Sequence, residues 1–552
     1  MLGIRGFKTD LLLILLLVFP AVEAATVEFE TGGFTQQVAA TSVQKLELDW
    51  PSIQRLYDHF DAPFLWHQGA TLNERGRQLL TWLSAAEQEG LNPANYHLNH
   101  LRRLSGAQQL ESRLVRELLL TDGYLRLATD LRQGNPAARA LDPFAVSNAD
   151  SFDPVMALIE ALEWGDLAPM LARLSPTSRE YDRLRQALAR YREIENAGGW
   201  PSVEQGHTLR PGMWDLRVIQ LRERLARELG PPVSEIEDPL LFDGDLADAL
   251  RRFQSDHGLA ADGVLGPATL VALNVPAARR VSQLRANLER WRWLPHDLGD
   301  VHLLVNTAGF DFAFHVNGRV IYSGRTVNGR AERQTPSLIS EITHLIANPY
   351  WTVPRRIAIE DLLPQQQADP DFLLHKGIRT YRNMEGEWVE FDPSTIDWSD
   401  YHEDNFPFIL KQDAGAGNSL GRVKFHLPNR YNIYLHDTPS VGLFQRSQRA
   451  FSSGCVRVEG AHQLASLLLT LAAPEEARRF SRAMQTGETL ITALRKPIPV
   501  YLTYFTSWVD ETGEVHFYPD IYRRDTDLLL AIGVEKRPET TQHLADSAAT
   551  AL

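Results

Sequence analysis

Cys455 is the one cysteine in 552 residues, set in "AFSSGCVRVEGA" between Gly454 and an alternating Val456-Arg457-Val458 run. A thiol attacks carbonyl carbon only once deprotonated, and an imidazole within hydrogen-bond reach is the usual acceptor of that proton. His436, in "RYNIYLHDTPS", is the candidate base. A period of two over 431–436 puts Tyr431, Ile433 and Leu435 on one face and Asn432, Tyr434 and His436 on the other, with His436 at a strand exit. If "GCVRV" is extended, Cys455 and Arg457 project together while Val456 and Val458 turn inward, and Gly454 permits close backbone approach. Backbone N–H groups of Gly454 and Cys455 would meet the charge on a developing oxyanion, with Tyr434 assisting. The planar fork of Arg457 suits a carboxylate; Asp437, on the opposite strand face, reads as structural. On these residues alone a plainer account stays open. A lone cysteine packs well as a small buried hydrophobe, Arg457 could sit in a structural ion pair, and 17 histidines make one at a strand end unremarkable by count. No HExxH, no clustered Cys/His spacing and no glycine-rich phosphate loop is present, so neither a metal nor a cofactor is expected.

The longer stretch "YLHDTPSVGLFQRSQRAFSSGCVRV" resembles the signature of the L,D-transpeptidases, in which a His and the Cys of a Ser-His-Gly-Cys element lie just under twenty residues apart. Here His436 and Cys455 are 19 apart, and Gly454 and Arg457 also fit. "NPYWTVPRRIA" and "NSLGRVKF" look like further blocks of the same domain. One position departs: the family's usual His two residues before the Cys is Ser453, which changes the hydrogen bonding expected around the nucleophile and leaves a hydroxyl there. The resemblance implies Cys455 as nucleophile and His436 as base, the imidazole being oriented by a backbone carbonyl. It implies a thioester with a donor tetrapeptide stem, release of D-Ala, and transfer to an amine of a neighbouring stem as a 3-3 cross-link. The implied partners are peptidoglycan stem peptides and cell-wall synthesis proteins, with β-lactams of the carbapenem type as inhibitors. Two alternatives remain: a wall L,D-carboxypeptidase or cysteine peptidase using water as acceptor, and a non-catalytic wall-binding scaffold. The peptidase is disfavoured by chain order, since His here precedes Cys.

The elements that must position these residues suggest an α+β multidomain chain. Arg5 and Lys8, the apolar block "LLLILLLVF" and the site around Ala24 read as a signal peptide over 1–24, hence a periplasmic protein, with an uncleaved membrane anchor as the alternative. A net charge of −14 argues against nucleic acid as partner. Residues 25–42 show no sustained period and read as a flexible leader. Residues 43–210 carry helical periodicity, as in "LNERGRQLLTWLSAAEQEG", where Asn73 can cap the start and Gly90 the end. Residues 211–275 resemble the small three-helix peptidoglycan-binding domain through Phe253, Gln254, Gly258, Leu259, Asp262, Gly263, Gly266 and Thr269. A helical return spans 276–299. From 300 to 507 the period falls to two, with Asn317-Gly318 as a hairpin turn, and this β-rich part is the expected L,D-transpeptidase catalytic domain. Its aromatic-studded segment at about 357–420 is too long for an ordinary loop and reads as an inserted lid. Residues 508–552 are left as a C-terminal extension.

Overall fold

The computed structural model describes residues 26–31, 34–39, 47–60, 62, 64–146, 151–230 and 236–534, the first two stretches as backbone alone. The signal-peptide reading at 1–24 and the last part of the expected extension lie outside the described residues. Within the expected leader, Thr26–Thr31 and Phe34–Ala39 pair as antiparallel strands. The alternation of Val27 and Phe29 with polar neighbours, ahead of Gly32-Gly33, is the hairpin signal that the flexible-leader reading passed over.

The helical part follows its apolar periodicity. Glu74–Ala85 starts where the Asn73 side chain accepts the Gly76 N–H at 2.9 Å, and a short 3-10 turn after it ends at Gly90, in the left-handed conformation at φ 75°. The 24-residue helix Leu110–Gln133 is the axis of this part; Leu119, Leu120, Leu127 and Ala128 are inaccessible among Leu56, Leu79, Leu83 and Leu158.

The three-helix unit is Arg217–Leu229, Gly244–Asp256 and Pro267–Leu273. Its motif residues are internal glue. Buried Gln254 donates to Asp262 Oδ1 at 2.8 Å, Val264 O at 3.0 Å and Thr269 Oγ1 at 3.1 Å, and accepts the Gly263 N–H at 2.8 Å. One amide satisfies a whole turn that would otherwise bury unpaired polar groups.

In the β-rich part a mixed nine-stranded sheet closes on itself. Arg319–Gly329 pairs with Asp311–Val316 along 319–325 and with Val456–Val458 at 326–327, so the hydrogen-bonded circuit is continuous. Asn317 and Gly318 both take positive φ, 51° and 72°, as a two-residue turn of primed type requires. Ala461–Ala472 and Pro474–Thr486 cover one side of the sheet, packing Leu464, Leu468 and Phe480 against Phe425, Leu435 and Val456.

The aromatic-studded insertion forms a subdomain with its own antiparallel sheet, in the order Glu387–Phe391, Ile378–Met384, Phe408–Gln412, Trp351–Thr352. It therefore starts earlier than 357, because Trp351 and Val353 belong to its core. Nor do the described residues beyond 507, up to 534, hang off the molecule. Ser507–Val509 and Val515–Phe517 form a hairpin packed on Tyr191 and Trp291, and Asp525–Ala531 packs Leu528 and Leu529 on Ala286 and Trp293. Asp525 pairs with Arg290 at 2.6 Å inside that contact.

Candidate active site

Cys455 sits on the turn immediately before the strand Val456–Val458. Val456 and Val458 are buried in the sheet core while Cys455 and Arg457 are half-buried, as the alternation requires. Gly454 holds φ at 115°, and a Cβ there would lie 3.2 Å from Ile433 Cδ1, so the position demands glycine. The turn is held from three sides. The Ser452 hydroxyl donates to Cys455 O at 2.5 Å and accepts the Gly454 N–H at 3.1 Å. The Thr335 hydroxyl donates to Gly454 O at 2.8 Å and accepts the Gly329 N–H at 2.8 Å. Tyr522, from the supposed extension, donates to Gly329 O at 2.7 Å. Since Ser452 takes up the Gly454 N–H, that group is not a free oxyanion donor; the expectation stands only for Cys455.

The strand carrying His436 is shorter than its period suggested. Only Leu435–His436 is strand; the Asn429 side chain bonds the N–H groups of Tyr431 and Ile433 at 3.0 and 3.1 Å and donates to Ile433 O at 2.7 Å. Asn432 is left-handed at φ 54°. This side-chain turn outcompetes the ladder for 431–434. Tyr434 nevertheless meets His436, ring centroids 5.7 Å apart.

The parallel pairing of Leu435–His436 with Val456–Arg457 brings the two candidate elements side by side. His436 is buried and its Nδ1 lies 2.6 Å from Asp437 O. A carbonyl can only accept, so Nδ1 carries the proton and Nε2 is left as the basic nitrogen. Burial, then the Arg457 charge, pushes the imidazole down to about 4. Burial pushes the Cys455 thiol up, against the opposing pull of the Tyr434 N–H and hydroxyl and of Lys424 and Arg457. At neutral pH the resting pair is thus a neutral thiol and a neutral imidazole, not a standing ion pair. The thiol lies 3.9 Å from Asn432 O and makes its hydrogen bond there, not to His436; such contacts commonly tighten only with substrate bound.

Asp437 accepts the Arg422 N–H at 2.8 Å and faces His462 at 3.4 Å, which makes it structural. Ser453 accepts from Arg333 Nη1 at 2.9 Å. The same Arg333 pairs with Glu360 and Asp361 of the insertion, and Arg330 reaches Asp361 at 3.1 Å. Where the family pattern has His, a serine is therefore tied through arginine to the root of the insertion. Tyr434 packs against the insertion's core. Of the insertion's aromatics, Trp398 and Phe406 are spent on that core, joined by Phe408 at 5.1 and 5.6 Å between ring centroids. Trp388 lies exposed on the outer hairpin with Met384 and Val389.

Lys424, Arg333, Ser452 and Thr335 were not singled out from sequence. Lys424 had a readable signal, since alternation in "RVKF" turns it away from Val423 and Phe425. The others are recognisable only once the chain has folded back.

A family model described as an L,D-transpeptidase catalytic domain matches residues 300–489, one described as a peptidoglycan binding domain matches 215–273, and one described as a scaffold domain matches 51–188. A curated Haemophilus influenzae protein named for L,D-transpeptidase activity is 37% identical over 251 residues, which is 45% of this chain; the match spans about half, 49%, of that relative's length. Among solved structures, an L,D-transpeptidase of Xylanimonas cellulosilytica is 14% identical, with a TM-score of 0.17 over 54% of this chain and 98% of that one. An L,D-transpeptidase of Stackebrandtia nassauensis is 12% identical, with a TM-score of 0.21 over 55% of this chain and 96% of that one.

Proposed function

We propose that this chain, which carries an L,D-transpeptidase catalytic domain beside a peptidoglycan binding domain, is an exported periplasmic enzyme that makes 3-3 cross-links between peptidoglycan stems. The observation that carries the reading is the pairing of a glycine-held Cys455 turn with His436, whose Nδ1 is committed to a main-chain carbonyl and whose Nε2 is free to take a proton.

Cys455 attacks the carbonyl of the third, diamino-acid residue of a donor tetrapeptide. The thiol proton passes to His436 Nε2 as the S–C bond forms, and the oxyanion is met by the Cys455 N–H and assisted by the Tyr434 hydroxyl. On collapse the C–N bond breaks, D-Ala leaves with the proton from His436, and a thioester remains. An amine of a neighbouring stem then attacks the thioester carbonyl and forms the new C–N bond; His436 takes the amine proton, the C–S bond breaks, and transfer of that proton to sulfur restores the thiol. Arg457, whose buried Nε has no hydrogen-bond partner, binds a stem carboxylate. The insertion, rooted at Arg330 and Arg333 beside Ser453, covers the thioester and keeps water from it. Cell-wall synthesis proteins and carbapenem-type β-lactams are proposed as partner and inhibitor on the same grounds.

The test is mass spectrometry of products formed by the full chain on wall fragments bearing tetrapeptide stems. Cross-linked dimers lacking one D-Ala are expected; tripeptide alone would mean that water is the acceptor, and unchanged fragments would favour a binding scaffold.

A further inference from the structure

Strand register places three basic side chains in one row beside the thiol. Lys424 is the cross-strand partner of His436, and His436 is the partner of Arg457. All three lie on the face opposite Phe425, Leu435 and Val456, which are wholly buried. Lys424 Nζ stands 4.0 Å from the Tyr434 ring centroid.

Arginines nearby have carboxylate partners: Arg325 with Glu459, Arg330 with Asp361, Arg333 with Glu360. Among the described residues neither Lys424 nor Arg457 has one, and the charge that acts on each is that of Cys455. The carboxylates near them in sequence are turned elsewhere: Asp413 to Arg379, Asp437 to Arg422 and His462, and Glu459 to Arg325. Further along the same face, Lys424 is followed by the stacked imidazoles of His426 and His344, ring centroids 4.4 Å apart, which add no negative charge. Burying a cation without a counter-ion is unfavourable unless an anion completes the set.

We infer that Lys424 is a positioning residue for the nucleophile: with Arg457 it surrounds Cys455 with positive charge that no carboxylate of the protein neutralises, and the thiolate is the anion that completes the arrangement. The inference rests on Cys455 being the nucleophile. When the S–H bond breaks and the proton moves to His436 Nε2, the two cations favour the thiolate and disfavour the imidazolium. The imidazole accordingly carries the proton only briefly and releases it to the leaving amine. One row of charge both exposes the nucleophile and readies the acid.

Because Cys455 is the chain's only cysteine, alkylation of the full-length protein reads this thiol alone. Iodoacetamide rates across the neutral-to-alkaline range should show the midpoint for Lys424→Met raised by about one pH unit, with Lys424→Arg returning it to the wild-type value. The ratio of iodoacetate to iodoacetamide rates, which reads local positive potential, should exceed that of free cysteine in the wild type and fall several-fold in Lys424→Met. Lys424→Gln serves if the methionine variant does not fold. A midpoint and ratio unchanged in a folded neutral variant, or a wild-type ratio no higher than free cysteine, would overturn the inference. Should the profile shift as expected while alkylated wild type still turns over stems, the proposed function fails and the inference falls with it, because Lys424 then tunes a thiol that is not the nucleophile. Should alkylation stop turnover with no shift in Lys424→Met, the inference alone falls.

Discussion

His436 is held in the fold at about 4, well below the ordinary histidine value near 6.5, and that depression ties its protonation to stability. In the native state it refuses a proton that the unfolded chain accepts. Stability is therefore unaffected above about pH 6.5, falls as pH drops from there towards 4, and levels off below; the full effect is roughly 3 kcal/mol. Thermal melts of His436→Gln should lose less on acidification through that window than those of the wild type. The same variant should lose about 10²- to 10⁴-fold in acyl transfer and recover in part at alkaline pH, where the thiol ionises unaided. Thr335→Val should act differently. It removes the group that bonds both Gly454 O and the Gly329 N–H in a fully buried position, so a stability loss of about 1–3 kcal/mol is expected in denaturant titrations, with slower alkylation of Cys455. That Cys455 and His436 come from neighbouring elements could be expected from the resemblance and the 19-residue spacing, and the parallel pairing of Leu435–His436 with Val456–Arg457 places those elements side by side. Alternation in "RVKF" gave the face of Lys424 but not its neighbour, and Thr335 gave no signal, since a hydroxyl declares no role until the folded chain brings it to the site.

At the scale of elements, the inserted subdomain joins the site through few contacts. Arg333 links Glu360 and Asp361 to Ser453, and Tyr434 touches the insertion's core. Arg333→Met should leave both cores intact yet loosen this junction. The expected result is a higher proportion of hydrolysed tripeptide to cross-linked product by mass spectrometry; deletion of the outer hairpin at Ile378–Phe391 should raise it further. Equal ratios in stably folded variants would make the insertion a structural subdomain. The existence of the insertion could be read from its length and aromatics, but its start could not. Trp351 and Val353 precede the expected boundary because a subdomain's edge is set by which side chains share a core. The shortened Leu435–His436 strand has a similar origin: Asn429 is a side-chain alternative to the ladder that periodicity does not register.

Across the whole molecule, the three-helix unit is less of a free module than its compact motif suggests. Tyr191 donates to Glu228 at 2.7 Å, the Arg224 guanidinium lies 3.9 Å from the Trp200 ring centroid, and His257 approaches Phe517 at 5.6 Å between ring centroids. Arg252 and Glu514 form an ion pair across the same boundary. Deleting 211–275 should therefore weaken retention on sacculi and also lower the melting temperature by several degrees, because Phe517 and Tyr191 lose their cover; alkylation of Cys455 should persist. Domain order was visible in composition shifts and motifs, whereas half of this docking depends on contacts between residues far apart in sequence, such as Arg252 with Glu514, 262 residues on. If the chain's single thiol carries the acyl group, intact-protein mass spectrometry after brief exposure to tetrapeptide stems will find the acyl-enzyme. A mass increase equal to the stem less D-Ala, located to the Cys455 peptide and missing in Cys455→Ala, is predicted. Turnover by Cys455→Ala within about tenfold of the wild type, or an acyl adduct on any other residue, would contradict it.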